Sequence, residues 1–220
     1  MDIAALRLSF ALSSLTTVAL LAVGLPIAHW LTTTRWRGRI LVEAVVALPL
    51  VLPPTVLGFY LLLAFGPRSP LGHGFVALTG HTLAFSFEGL FLASVLYSLP
   101  FAVQPFTASL ARVDKELVEA SYTLGESRWR TFFRVSIPLA LPGIVAGAVL
   151  AFAHTLGEFG VVLMVGGNIP GATRTLSISI FEAVEQLDYA AAGRTSLLLL
   201  AISFSVLLVT YTLQRKTLLT

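Results

Sequence analysis

The chain is poor in charged residues, which make up 11% of its 220 positions, whereas a soluble domain carries about 25%. Hydrophobic residues account for 56% of the chain and occur in long continuous runs. This composition excludes a soluble domain and indicates several membrane spans. Because the apolar runs do not alternate with polar residues, the spans are expected to be helices rather than the strands of a barrel.

The absence of cysteine and the scarcity of lysine exclude several chemistries. Without cysteine there is no disulfide, thiolate metal site or cysteine nucleophile. Lys115 and Lys216 are the only lysines, and neither follows the glycine run of a phosphate-binding loop, so ATP hydrolysis by that route is excluded. The four histidines are scattered without metal-ligand spacing and are expected in loops, interfaces or packing. We therefore expect no catalytic residue, no metal, no cofactor and no enzymatic activity.

Five apolar runs are candidate spans, and they predict one transmembrane domain over residues 1–220 with a core from about 8 to 213. The runs cover residues 8–31, 40–65, 83–110, 137–165 and 195–213. The second run contains Pro49, Pro53 and Pro54, so a straight helix is not expected there. Residues 175–193 are only moderately apolar and predict a short surface helix or a re-entrant segment. A sixth span in that stretch would place the carboxyl terminus outside.

The distribution of basic residues predicts the orientation in the membrane. If the polar stretch after the third run is cytoplasmic, 10 of the 14 lysines and arginines lie on the cytoplasmic side, and only Arg7, Arg68, Arg174 and Arg194 lie outside. Cytoplasmic loops of membrane proteins are enriched in lysine and arginine. We therefore expect the amino terminus outside and the carboxyl terminus in the cytoplasm. The net charge of +3 is accounted for by these loops, so no nucleic-acid partner is expected.

The most polar stretch, residues 119–138, separates the third and fourth apolar runs. It reads EASYTLGESRWRTFFRVSIP. Gly125 stands where a first helix should end, because glycine enters the left-handed cap conformation without cost. Ser127 can cap a second helical turn that carries the aromatic and basic residues. The stretch therefore predicts a short helix, a bend and a return to the membrane, a shape suited to docking on another protein.

This stretch resembles the E-A-A-x3-G-x9-I-x-L-P loop of binding-protein-dependent ABC importer permeases. The matching residues are Glu119, Ala120, Gly125 and Pro138, while Ser121, Val135 and Ile137 are mild departures from the pattern. In that family the loop forms a coupling helix seated in a cleft of a separate ATPase subunit. The resemblance implies a coupling loop at about residues 112–136. It also implies that Glu119, Ala120, Ser121, Leu124 and Gly125 contact the ATPase.

Further segments are similar to oxyanion permeases, and to molybdate permeases most of all. They are residues 48–58, 123–125, 156–160 and 168–175. The resemblance implies the type I importer fold, like that of MetI, with a core of five helices in the bacterial inner membrane. It implies two permease copies and two ATPase subunits, fed by an extracytoplasmic oxyanion-binding protein and working by alternating access. Tungstate and sulfate remain alternative cargoes, and a channel or a membrane enzyme is a remote alternative.

A few residues outside the polar stretch are candidates for the pathway or for helix packing. Gly143 and Gly147 form a G-x-x-x-G pattern, which lets helices approach closely. Glu158 lies within an apolar run and predicts pathway lining, an ion pair at a dimer axis or a position at the membrane edge. Asn168 and Arg174 on the following loop are further candidates for the pathway or the dimer interface.

Overall fold

The computed structural model describes residues 2–217, without the side chains of residue 209 and residues 213–217. The side chains of Arg215 and Lys216, which enter the orientation argument, therefore lie outside the described residues. Within residues 2–217 all regular secondary structure is helical. The helices are α1 (Ile3–Thr33), α2 (Arg39–Val51), α3 (Pro54–Phe65), α4 (Pro70–Thr79), α5 (Phe87–Leu110), α6 (Lys115–Thr123), α7 (Arg128–Thr131), α8 (Ile137–Gly157), α9 (Gly160–Gly166), α10 (Leu176–Glu185) and α11 (Tyr189–Thr217), with a π-helical turn at Phe132–Ser136.

Helices α1, α5 and α8 form the centre of the molecule. Their continuous apolar sequences allow burial on several sides, and one cluster joins Leu20 of α1, Phe106 of α5 and Ile144 of α8. Small residues bring the three helices close together. Gly24 lies so near α5 that an added Cβ would stand 3.3 Å from Phe106. This centre fixes the positions of the two ends of α8, where the polar features lie.

The second apolar run is a broken span, as its prolines predict. Helices α2 and α3 meet at an angle of 112° around Leu52 and Pro53. Pro53 and Pro54 have no N–H, so the helical hydrogen-bond ladder stops there. Val46 of α2 belongs to the buried cluster of Phe106, near the end of α5, whereas Phe65 of α3 belongs to that of Ala93, near its beginning. The two halves thus lie toward opposite ends of α5.

The number of spans agrees with the expected five. Four helical segments are long and apolar enough to cross a membrane: Ile3–Thr33, Phe87–Leu110, Arg128–Gly157 and Tyr189–Thr212. The bent pair of α2 and α3 is the fifth when it is taken as one span. The ten residues of α10 extend only about 15 Å, which is too short to cross a hydrocarbon core of about 30 Å. Residues 175–193 therefore contain a short helix and no sixth span.

Several helix boundaries differ from the sequence prediction, and two of these differences have a clear local cause. The last span begins at Tyr189 rather than near residue 195, because the Asp188 carboxylate accepts a hydrogen bond from the Ala191 N–H at 2.9 Å and so caps the helix. The fourth run is not continuous to residue 165, because α8 ends at Gly157 and α9 begins at Gly160. Glu158 stands in this interruption, which is called the Glu158 break below.

Candidate functional site

Residues 112–136 connect α5 to α8 and contain most of the polar stretch, and they are called the knob below. The Asp114 carboxylate caps α6 by accepting a hydrogen bond from the Glu116 N–H at 2.9 Å. The helix ends at Thr123, and Gly125 follows with a φ of +84°. The Gly125 and Glu126 N–H groups donate to the carbonyls of Tyr122 and Ser121 at 3.0 and 3.2 Å. The predicted bend at glycine is therefore present.

Side-chain contacts join the two helical pieces of the knob. The hydroxyls of Ser121 and Thr131 lie 2.9 Å apart, and Thr131 is buried. The Ser127 hydroxyl accepts a hydrogen bond from the Arg130 N–H at 3.4 Å and caps α7. Glu126 forms ion pairs with Arg130 at 3.5 Å and Arg134 at 3.2 Å. Exposed ion pairs add little stability, so the hydroxyl pair and the backbone bonds at Gly125 set the shape.

The knob exposes large apolar side chains although the sequence around them is polar. Leu124 is 84% exposed, Trp129 70% and Phe133 59%. No residue of α6 is buried. Exposed apolar side chains of this size make the knob a candidate surface for binding another protein. Because the two helical pieces are joined and lead into α8, a displacement of Leu124 would be transmitted to that helix.

The five residues predicted to contact an ATPase do not occupy equivalent positions. Glu119 and Ala120 are exposed on α6, and Leu124 and Gly125 form the exposed tip. Ser121 is instead turned toward Thr131 within the knob. Its structural partner explains why a hydroxyl can stand where the family pattern has alanine. The contact with an ATPase remains a prediction for all five.

A π-helical turn forms the last part of the knob and leads into α8, and no feature of the sequence predicts it. It covers Phe132–Ser136 and leads directly into Ile137. Phe132 is 5% exposed, and its ring centre lies 4.3 Å from that of His29 at the end of α1. Sequence analysis treated His29 only as a scattered histidine. In the structure it ties the first span to the base of the knob.

Gly143 and Gly147 lie on the side of α8 that meets α5. A Cβ added to Gly143 would stand 2.3 Å from the Cβ of Ser109, and one added to Gly147 would stand 2.7 Å from the ring of Phe106. The Ser109 hydroxyl donates to the Ala140 carbonyl at 2.9 Å across the same interface. Helix α8 therefore follows α5 closely, and a displacement of the knob would be transmitted to both.

At the other end of α8, Glu158 is buried and caps a helix. Its Oε1 accepts a hydrogen bond from the Val161 N–H at 2.7 Å, at the start of α9, and the residue is 8% exposed. The Ser177 hydroxyl donates to the Glu158 carbonyl and ties α10 to the break. Glu158 forms no ion pair with any residue between 2 and 217 whose side chain is described. The positions at a pathway or a dimer axis remain predictions.

A polar cluster lies beside this break, between α5 and α8. Ser98 of α5 places its hydroxyl 2.9 Å from Nδ1 of His154 and 2.9 Å from the hydroxyl of Thr155. Phe101 stacks on the His154 ring with centres 3.8 Å apart. Sequence analysis expected His154, like the other histidines, in a loop, an interface or packing, and in the structure it packs on an aromatic ring while also bonding to a serine. Its spacing from Ser98, 56 residues, carries no signal in a single sequence.

Asn168 and Arg174 bond to each other and to neighbouring groups. The Arg174 Nε donates to Asn168 Oδ1 at 2.6 Å, and its Nη1 lies 3.2 Å from a Glu182 carboxylate oxygen. Asp2 adds a weaker contact at 4.0 Å. The guanidinium charge is thus balanced by carboxylates, so Arg174 is poorly suited to hold an anion in this conformation. The pathway or dimer-interface assignment of both residues remains a prediction.

The chain is similar to known transport permeases over nearly all of its length. A model of the family described as "Binding-protein-dependent transport system inner membrane component" matches residues 20–218. The molybdenum transport system permease protein ModB of Azotobacter vinelandii is 52% identical over 214 residues, 97% of this chain and 95% of that protein. ModB of Escherichia coli (strain K12) is 39% identical over 92% of this chain and 88% of that protein. A probable sulfate transport system permease protein cysT of Chlorokybus atmophyticus is 37% identical over 84% and 64%.

Solved structures of similar fold are subunits of ABC importers. A chain of the inward-facing MetNI methionine ABC transporter superposes with a TM-score of 0.76 at 16% identity, covering 98% of this chain and 95% of that one. A chain of a bacterial ABC transporter that imports the acidic polysaccharide alginate superposes with a TM-score of 0.79 at 15% identity, covering 97% and 79%. At these identities the likeness establishes the fold alone. The expected MetI-like architecture is confirmed.

Proposed function

The chain belongs to the family of binding-protein-dependent transport system inner membrane components, and on that premise we propose that it is the permease subunit of an ATP-driven molybdate importer. The single observation that supports the cargo best is the 52% identity to a molybdenum permease over 97% of the chain. Sulfate is the second candidate, because a probable sulfate permease is 37% identical over 84% of the chain. Tungstate, another tetrahedral oxyanion, is a further alternative.

The knob is proposed to receive the force that drives transport. Without a phosphate-binding loop the chain depends on a separate ATPase subunit, and the exposed tip at Leu124 and Gly125 offers that subunit an apolar contact. Glu119 and Ala120 would add to the contact from the exposed surface of α6. Ser121 would act from inside, by holding α6 against Thr131.

Two copies of the permease are proposed to form the pathway between them, together with two ATPase subunits. One copy has four spans and one bent pair of helices, which is few for enclosing a route wide enough for an oxyanion. An extracytoplasmic binding protein would deliver the oxyanion to the opposite side. The family description, with its binding-protein-dependent transport system, supports this kind of partner. Glu158, Asn168 and Arg174 are the candidates for lining the pathway or the dimer interface.

The orientation follows from the same partnership. An ATPase works where ATP is, so the knob belongs in the cytoplasm, with the amino terminus outside and the carboxyl terminus inside. Transport would then proceed by alternating access. Closure of the ATPases on ATP draws the two knobs together, α5 and α8 turn with them, and the pathway opens to the loaded binding protein. Hydrolysis and release of the ATPases reverse the motion.

The test is co-purification of the chain with the ATPase and the binding protein encoded beside it, followed by an ATPase assay in lipid. Binding protein loaded with molybdate is expected to stimulate ATP hydrolysis, and binding protein offered sulfate is not. Stimulation by sulfate alone would change the cargo while keeping the importer. A permease that associates with no ATPase would overturn the proposed function.

A further inference from the structure

A cavity of about 550 Å³ lies at the base of the knob, between the ends of α1 and α5 on one side and α6 and α7 on the other. Its polar lining includes Arg35, Lys115, Arg128, Thr32, Thr34 and Glu119. It is separate from the exposed tip at Leu124, which is not part of its wall. Of the residues that line it, only Glu119 belongs to the proposed ATPase contact.

The charge of the cavity favours an anion. Arg35, Lys115 and Arg128 supply three positive charges, and Glu119 supplies one negative charge. Among the described residues none of the three cations lies within 4.0 Å of a carboxylate, so their charges are not balanced by ion pairs of the kind that occupies Arg174. The Thr32 hydroxyl already donates to the His29 carbonyl, whereas the Thr34 hydroxyl only accepts, from the Trp36 N–H. The Thr34 hydroxyl and the guanidinium groups are a suitable set of donors for phosphate oxygens.

The cavity lies at the level where the membrane meets water. Trp30 in the last turn of α1 and Trp36 just after it are 38% and 57% exposed, and their ring centres are 6.1 Å apart. Exposed tryptophans at the end of a span mark the headgroup region of a bilayer. Arg35 stands next to Trp36 and also lines the cavity. The basic groups are therefore available to a lipid headgroup.

The cavity wall also includes one face of α6. Lys115, Val118, Glu119 and Tyr122 line it, at the i, i+3, i+4 and i+7 positions of the helix. Across the cavity stand His29 and Phe132, whose rings are in contact. A molecule bound here would touch both the first span and the helix proposed to couple to the ATPase. Occupancy would hold the knob at a fixed distance from α1.

From this combination we infer that the cavity binds the phosphate headgroup of an anionic phospholipid. Basic pockets between spans on the cytoplasmic side favour such headgroups. A free tetrahedral oxyanion would satisfy the same charges but leave most of the cavity unfilled. A water molecule takes up roughly 30 Å³ of liquid, and an ion of a few such volumes is small beside about 550 Å³. The apolar part of the wall, with Val118 and Phe132, suits the first methylene groups of the acyl chains.

The experiment compares lipid retention by two variants of the full chain with equal net charge. Arg35→Gln/Arg128→Gln removes two cations from the cavity. Arg37→Gln/Arg130→Gln removes their neighbours in the same two segments, neither of which lines the cavity. Each chain, purified in detergent, is titrated with short-chain phosphatidylglycerol, phosphatidylcholine or inorganic phosphate, and the bound species are counted by native mass spectrometry. Lys115→Gln is a second, milder variant at the exposed start of α6, in case the double variant does not fold.

The native chain and the control pair are expected to retain phosphatidylglycerol. The cavity pair should bind it roughly thirtyfold more weakly, because it lacks two cations that each contribute about 1 kcal/mol near a headgroup. Lys115→Gln should weaken binding by a smaller factor. Phosphatidylcholine should not be retained. Equal retention by the cavity and control pairs would overturn the inference, and so would binding of inorganic phosphate in preference to the lipid. This readout involves neither ATPase nor cargo, so it is independent of the proposed function.

Discussion

The regions at the two ends of α8 differ in which side chains they bury and which they leave exposed. At the Glu158 break, polar groups are buried and bonded to one another: Glu158 caps α9 through Val161, and Ser177 donates to the Glu158 carbonyl. At the knob, polar groups are bonded locally but apolar side chains remain in water, with Leu124 84% exposed. The Glu158 break satisfies these polar groups within this chain. The apolar side chains of the knob would be buried only by contact with another surface.

This difference separates stability from coupling. A substitution at the Glu158 break removes interactions that the chain makes with itself, so it should lower the stability of the folded permease. Substitution of the exposed Leu124 side chain at the tip of the knob removes no buried contact of the isolated chain. It should alter association with the ATPase and leave the fold intact. This distinction is wrong if substitutions in both regions lower the stability of the isolated permease equally.

The largest effect is expected for Gly125→Val. The φ of +84° is strained for any side chain and worst for a β-branched one, while no atom lies within 4 Å of an added Cβ. The cost of roughly 1–3 kcal/mol therefore acts on the backbone of the bend and displaces the tip. Substrate uptake by reconstituted complex should fall by about tenfold or more, since 1.4 kcal/mol corresponds to a factor of ten. Gly125→Asn is the control, because asparagine tolerates this conformation. Equal uptake by the valine and asparagine variants would contradict the prediction.

Glu158→Ala should lower the stability of the isolated chain. It leaves the buried Val161 N–H without its acceptor, at a cost of about 1–3 kcal/mol. The midpoint of thermal unfolding in detergent should drop for the alanine variant and much less for Glu158→Gln, whose amide oxygen can still accept the bond. An unchanged midpoint for Glu158→Ala would show that the break is not held together by this cap.

Leu124→Ser should have the opposite profile. The side chain is almost fully in water, so its removal should leave the thermal midpoint of the isolated permease unchanged. Its loss from an interface should weaken binding of the ATPase by about 1–2 kcal/mol, as for a well-packed contact residue. Titration of the ATPase onto permease in nanodiscs measures this, with Leu78→Ser as a control at a leucine that is 88% exposed on α4. Equal weakening by both variants would argue against a specific contact.

The smallest effect is expected for Arg174→Gln. Its ion pair with Glu182 joins partly exposed side chains, and such pairs contribute about 1 kcal/mol or less. The thermal midpoint should shift slightly, and less at high salt than at low salt. A loss as large as that of Glu158→Ala would mean that the region around the break depends on charge pairing rather than on caps.

Much of the fold could be predicted from local chemistry in the sequence. Gly125, Ser127 and the prolines of the second run each act within a few residues, so the bend, the cap and the broken span were expected and are present. The interruption at Glu158 was not expected, because in a single sequence a glutamate in an apolar run has many possible partners. Its partner is a backbone N–H three residues later. The burial that makes the bond valuable comes from distant segments, since a Cβ added to Gly58 would stand 3.3 Å from the Val161 Cα.

The remaining features of the candidate sites depend on contacts between segments far apart in the sequence. Ser98 meets His154 and Thr155, and Phe132 meets His29. The threonines at the end of α1 line the same cavity as Lys115. No periodicity or motif specifies these pairs, because each depends on how α1, α5 and α8 come together. Asp188 is a different case, since its position before a helical run was a legible capping signal that would have placed the start of α11 correctly.

The π-helical turn sets the rotational phase of α8. A π turn accommodates one residue more than an α-helical path of the same length, and one residue of an α-helix corresponds to a rotation of about 100°. Gly143 and Gly147 face α5 with the turn at Phe132–Ser136 in place. If the extra residue were absorbed into regular helix, the knob would keep its shape, but α8 would present a different stripe of side chains to its neighbour. The π turn therefore sets the orientation of the two glycines on α8 relative to the knob.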